Sequence, residues 1–214
     1  MCYTIIVKGV NLCADVYERI TKMDEYSGYE TVKEKLITAG IKELQNHGAA
    51  DFSLRRVATA CNVSCAAPYK HFKSKEDFIA EILLYIHKQW TLLQNQVAKI
   101  FSSDTKKQII ETCIAYIRFR IANQGFNAIL MMKTDDITDS RVSNSHMTDY
   151  IRVLTEKYCM ENNLSQDETE RRIFAIRSFI YGAVIMIDNG QLPNNPETTA
   201  MIKQCIDDEL KKEH

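Results

Sequence analysis

From Thr31 onward, apolar residues recur three and four positions apart almost everywhere, the spacing of one buried helix face. Val32, Leu36, Gly40 and Leu44 form the first such stripe, with Ile37 and Ile41 beside it and Gly48 placed as a left-handed cap. Leu54, Val57, Ala58 and Cys61 make a second, shorter stripe behind Ser53 as N-cap. The run Cys61-Asn62-Val63-Ser64 predicts a tight turn, because Asn tolerates positive φ. A third short helix is expected over about 65–71, with Ser64 able to cap it.

Ser74-Lys75-Glu76-Asp77 is a capping-box pattern. It opens a long helix whose stripe is Phe78, Ile82, Leu83, Ile86, Trp90, Leu93 and Val97. At 1.5 Å per residue, about 22 residues span roughly 33 Å, enough to link two layers. Helices are also expected over 105–122, near 124–132, through Met147 to Tyr158, from Ser165 to Asn189, and from Pro196 to Leu210, with a polar loop over 133–145. The fold class that follows is all-α.

Composition narrows the choice without altering it. In 214 residues there are only 7 Gly and 3 Pro, too few for the turns of a sandwich or barrel. No run of about 18 apolar residues occurs, so no membrane-spanning helix is expected. The first twenty residues lack the basic start and long apolar stretch of a secretion signal. Seven cysteines, an odd number without regular spacing, read as reduced thiols in a cytoplasmic protein.

Charge matters locally. The whole chain carries −1, yet Thr31 to Lys75 holds eight basic residues against three acidic ones. A basic patch on an otherwise acidic chain is the footprint of phosphate binding. It coincides with residues 53–72, where a support helix, a turn of about four residues and a second short helix have the spacing of a helix-turn-helix.

The stretch TVKEKLITAGIKELQNHGAADFSLRRVATACNVSCAAPYKHFKSKEDFI resembles the N-terminal domain of the TetR family of bacterial regulators. The resemblance rests on Gly48, Ser53-Leu54, Val57-Ala58, Asn62-Val63-Ser64, Tyr69-x-His71-Phe72 and Ser74-Lys75-Glu76. The family usually has Gly where Asn62 stands and an aliphatic residue where Pro68 stands. The likeness covers about 50 residues; beyond them the chain resembles the family in helicity and length only. It implies a helix-turn-helix domain over 30–76 and a ligand-binding and dimerisation domain over 77–214. Residues 1–29 have no counterpart and form an extension, with Met23 a second candidate start and 1–22 expected to be dispensable.

Chemistry and resemblance together assign candidate DNA contacts. Ser64, Cys65 and Ala66 are expected at the start of the reading helix, where small side chains let the backbone approach. Tyr69, Lys70 and His71 would meet phosphates or base edges, and Lys75 a phosphate. Ser53 caps the support helix and can itself bond a phosphate; Arg55 and Arg56 could reach DNA, or one of them only solvate that helix.

Elsewhere, Cys61, Cys65 and His71 lack a fourth metal ligand at useful spacing, and no nucleophile, base and orienting group can be assembled, so neither a metal, a cofactor nor an enzyme is expected. Trp90, Tyr116, Phe119, Phe126, Met131 and Tyr150 are each core candidates that together could line an apolar pocket for a small apolar or amphipathic effector, with Arg118, Arg120, His87 and His146 as polar handles. The segment 173–187 is apolar nearly all round. It is either a central core helix or, with 197–210, a surface covered by a second copy through Ala183, Val184, Ile187, Met201, Ile202 and Cys205. The expectation is a homodimeric, ligand-controlled DNA-binding regulator, with a helical binding protein that no longer reads DNA as the alternative.

Overall fold

The computed structural model describes residues 31–123 and 146–211, which form eight helices and no strand. They are α1 (Val32–His47), α2 (Leu54–Ala60), α3 (Pro68–His71), α4 (Lys75–Ile100), α5 (Thr105–Ala122), α6 (His146–Glu161), α7 (Gln166–Asp188) and α8 (Pro196–Lys211). The extension 1–29, the helix expected near 124–132 and the loop expected over 133–145 lie outside the described residues. No described helix is long and apolar enough to cross a membrane.

The capping signals act where the residues put them. Ser53, Ser74 and Ser165 each accept a hydrogen bond from the backbone N–H three residues on, at Arg56, Asp77 and Glu168. Asn195 Oδ1 does the same for Thr198 N, ahead of Pro196 at the first helical position. Thr31 adds a complete capping box with Glu34, a pairing that the hydrophobic stripe alone did not single out. Gly48 and Asn62 take positive φ, 70° and 55°, as Gly190 and Asn163 do later in the chain at 69° and 55°, so each described turn with positive φ has a residue that tolerates it.

α1 lies across the start of α4. Gly40 permits this approach, since a Cβ there would stand 2.7 Å from Ile82 Cδ1 and 3.1 Å from the Phe78 ring. Phe52, Phe72 and Phe78 close the same core, with Phe72 stacked on Phe78 at 4.0 Å and Phe52 edge-on at 5.5 Å. Lys33 bonds Glu81 at 2.6 Å across the seam.

α4 runs 26 residues, about 39 Å, longer than the stripe required. Its far half packs on α5, and α5 in turn touches α6, α7 and α8, which makes it the centre of this half. Trp90 is fully buried and donates Nε1–H to Met147 O at 2.8 Å, tying α4 to α6.

Candidate nucleic-acid interface

α2 and α3 are held by their contacts with α1. Glu43, buried on α1, accepts from Ser53 N at 3.1 Å and Arg56 Nε at 2.7 Å; Arg56 Nη2 also bonds Glu43 and the Asp51 carbonyl. Burial pushes the Glu43 carboxyl up, but the Arg56 guanidinium and the Ser53 N–H outweigh it and hold it below the usual carboxylate range. Arg56, although exposed like Arg55 before it, is thus engaged in fixing α2 against α1. Cys61 contributes a further tie, its Sγ–H reaching Lys35 O at 3.3 Å.

The third helix begins later than expected. It spans Pro68–His71, and Ser64, Cys65 and Ala66 stand in the preceding turn, all exposed. Two features of the turn account for the later start. Pro68 has no N–H to donate back to Ser64 O, and Ser64 O is taken instead by Ala67 N at 2.9 Å. Ser64 therefore does not cap α3, whose N-cap is Ala67 without a side-chain bond. Tyr69, Lys70 and His71 point outward, Tyr69 with 62% of its surface exposed. Phe72 turns inward immediately after them and anchors the short helix to the aromatic core.

Lys75, half-buried at the first position of α4, donates from Nζ to Ala50 O at 2.9 Å. That bond braces the α1–α2 loop and uses one of its three N–H donors. Exposed Arg55, Lys70 and Lys73 stand in the same short stretch, and Lys35 and Lys42 are exposed on α1.

The expected pocket residues are dispersed. Trp90, Tyr116 and Phe119 are buried together, with ring centroids 5.6 and 5.5 Å from Trp90. Tyr150 is half-buried and accepts from Gln108 Nε2 at 3.1 Å. Phe126 and Met131 lie outside the described residues, as does the side chain of His146. Of the polar handles, Arg120 is buried and donates to the Tyr116 hydroxyl at 2.7 Å, while Arg118 and His87 are half-buried.

The six residues expected on a dimer surface divide. Ala183, Val184 and Ile202 are buried within the subunit, Ile187 is half-buried, and Met201 and Cys205 are exposed. α7 turns Ile176, Ile180, Ala183 and Val184 inward, so a helix apolar all round hid which side was outermost. The outward side carries Phe174, Phe179, Ile185 and Met186, and sequence periodicity offered no signal separating the two.

Residues 36–82 match the family model described as bacterial regulatory proteins, TetR family. No curated protein is matched by sequence. Two solved structures are similar in fold. A protein of unknown function from Rhodococcus sp. RHA1 has a TM-score of 0.69 at 15% identity, covering 87% of this chain and 97% of its own. The TetR family transcriptional regulator PfmR from Thermus thermophilus has a TM-score of 0.63 at 17% identity, covering 87% and 99%. The fixed spacings of α1 to α4 and the family match over them agree: residues 36–82 form a DNA-binding domain of the kind found in bacterial regulatory proteins of the TetR family, and the described residues share the all-helical fold of one such regulator.

Proposed function

We propose that the chain represses transcription as a homodimer on a near-palindromic operator and releases DNA when an effector binds the larger helical domain, 77–214. The observation that carries the DNA half is the division of labour over 53–75. Glu43, Arg56, Phe72 and the Lys75–Ala50 bond fix the motif, leaving Ser64 to Ala66, Tyr69, Lys70 and His71 exposed. Phosphates would be met by Lys70, Lys75 and the Arg55 side, base edges by Tyr69 and His71.

Homodimerisation is supported by the outward side of α7 and α8. Phe174 is 74% exposed, Ile185 51% and Met201 48%, and a Cβ on Gly182 among them would meet nothing within 4 Å. Nothing among the described residues gives a reason for a glycine there; close approach of a second helix does. Two subunits joined in this way would set their reading helices roughly 34–36 Å apart, one turn of DNA. An effector acts by binding one spacing better than the other.

The test is binding of the purified protein to the DNA upstream of its own gene at several salt concentrations. Tight binding that falls steeply and linearly in log–log form with salt is expected, with protection symmetric about a centre. Weak binding equal on unrelated DNA would reject the reading and favour a binding protein that has lost its operator.

A further inference from the structure

The buried face of α5 is polar at every turn. Gln108, Thr112, Tyr116 and Arg120 follow one another at four-residue intervals, and all four are buried. Apolar cores do not hold such a seam without partners, because an unsatisfied buried donor keeps its full desolvation penalty. Most of the seam is satisfied. Gln108 Nε2 reaches Tyr150 at 3.1 Å, Arg120 donates to Tyr116, and Tyr181 bonds Thr148 at 3.2 Å beside the Tyr116 ring.

The middle of the seam is different. Thr112 Oγ1 on α5 and Gln94 Nε2 on α4 are both buried and meet no hydrogen-bond partner among the described residues. The two helices run antiparallel, and their register is set by Trp90 against Tyr116 at one end and by Gln108 beside Ala98 at the other. By that register, four residues on from Trp90 and four before Tyr116, Gln94 and Thr112 fall opposite each other. They do not bond one another. An amide NH2 only donates and a hydroxyl can donate, so one group that accepts from both completes the pair.

We infer that Gln94 and Thr112 are the polar recognition point for the effector, and that they take an uncharged carbonyl oxygen of an otherwise apolar molecule. The inference rests on the regulatory reading only in calling that molecule an effector. A neutral oxygen fits better than a carboxylate at this pair, since the seam's cation, Arg120, lies two turns from Thr112, about 12 Å along the helix, where its Nη1 donates to Tyr116. Trp90 and Tyr116 lie one turn away on their helices and would flank the apolar body.

Trp90 is the only tryptophan, so its emission reports on this place. The full-length protein is titrated with 2-nonanone and, separately, with nonanoate. Saturable change with the ketone, weaker binding of the carboxylate, and at least tenfold weaker ketone binding by both Gln94→Leu and Thr112→Val are expected. Thr112→Ser, which keeps the hydroxyl, should retain affinity, and it serves as the measurement if either apolar variant fails to fold. A protein that binds no ketone, or prefers nonanoate, overturns the inference. So do variants that raise Tm while binding ketone as before, the result expected of a merely hydrated polar pair. Because the readout contains no DNA, failure of operator binding with ketone binding intact would reject the regulator and leave this site standing.

Discussion

Lys75 serves the fold and, on the proposed reading, a DNA phosphate as well. Its ammonium braces the Ala50 carbonyl and keeps two further N–H donors, in the same short stretch as exposed Lys70 and Lys73. A phosphate contact made there releases about one counterion. Lys75→Ala should therefore weaken binding to all DNA sequences and reduce the salt slope by about one, measured by titrations at four or more salt concentrations. An unchanged slope in a folded variant would leave Lys75 with its bracing role alone. Asn62 is a second instance. Its left-handed backbone was legible because few residues other than Gly tolerate φ near 55°. The roles of Arg55 and Arg56 were not, for adjacent arginines look alike until Glu43, twelve and thirteen residues earlier, is known to face one of them.

At the scale of elements, the N-terminus of α7 is clasped to the C-terminus of α8. Glu168 accepts from Arg171 and Arg172, Arg171 also reaches Glu209 at 2.8 Å, and buried Arg172 bonds the Leu210 carbonyl. The Arg171 guanidinium, and then Arg172, hold the Glu168 carboxyl down to about 2 against the opposing effect of burial. A carboxyl held lower in the folded than the unfolded chain contributes stability above pH 4.5 and loses it as pH falls toward 2. Glu168→Gln should thus lower Tm at pH 7 and flatten its decline between pH 5 and pH 3, as followed by circular dichroism. Equal acid limbs in both proteins would remove Glu168 from the clasp. Helix boundaries around such caps were readable because Ser, Asn and Pro act within four residues. The later start of α3 was missed because it depended on which carbonyl Ala67 had already taken.

For the whole molecule, the proposed dimer turns on which apolar residues of α7 and α8 face outward. Val184 is buried inside its own subunit, so Val184→Glu places an unpaired charge in the core and should give unfolded or aggregated protein. Ile185, its neighbour, is half exposed on the outward side. Ile185→Glu should leave a folded subunit that sediments as a monomer and binds its operator at least tenfold more weakly. A dimeric Ile185→Glu protein with normal DNA affinity would place the interface elsewhere. Sequence periodicity could not distinguish these two residues, since a helix that packs on α5 with one side and exposes Phe174, Phe179, Ile185 and Met186 on the other has no polar face there to mark its phase. The helix-turn-helix, by contrast, was legible almost whole, because its chemistry is local and its spacings are fixed.

Gly40 has one more consequence. With no side chain between α1 and the Phe78–Ile82 turn of α4, and with Lys33 held to Glu81 beside it, these two segments have no slack in which to open separately. Their backbone amides therefore share one opening event and lose protection against solvent deuterium together, as a single cooperative unit. The first helix and the start of the long helix are expected to exchange as one unit, with the reading motif attached to it.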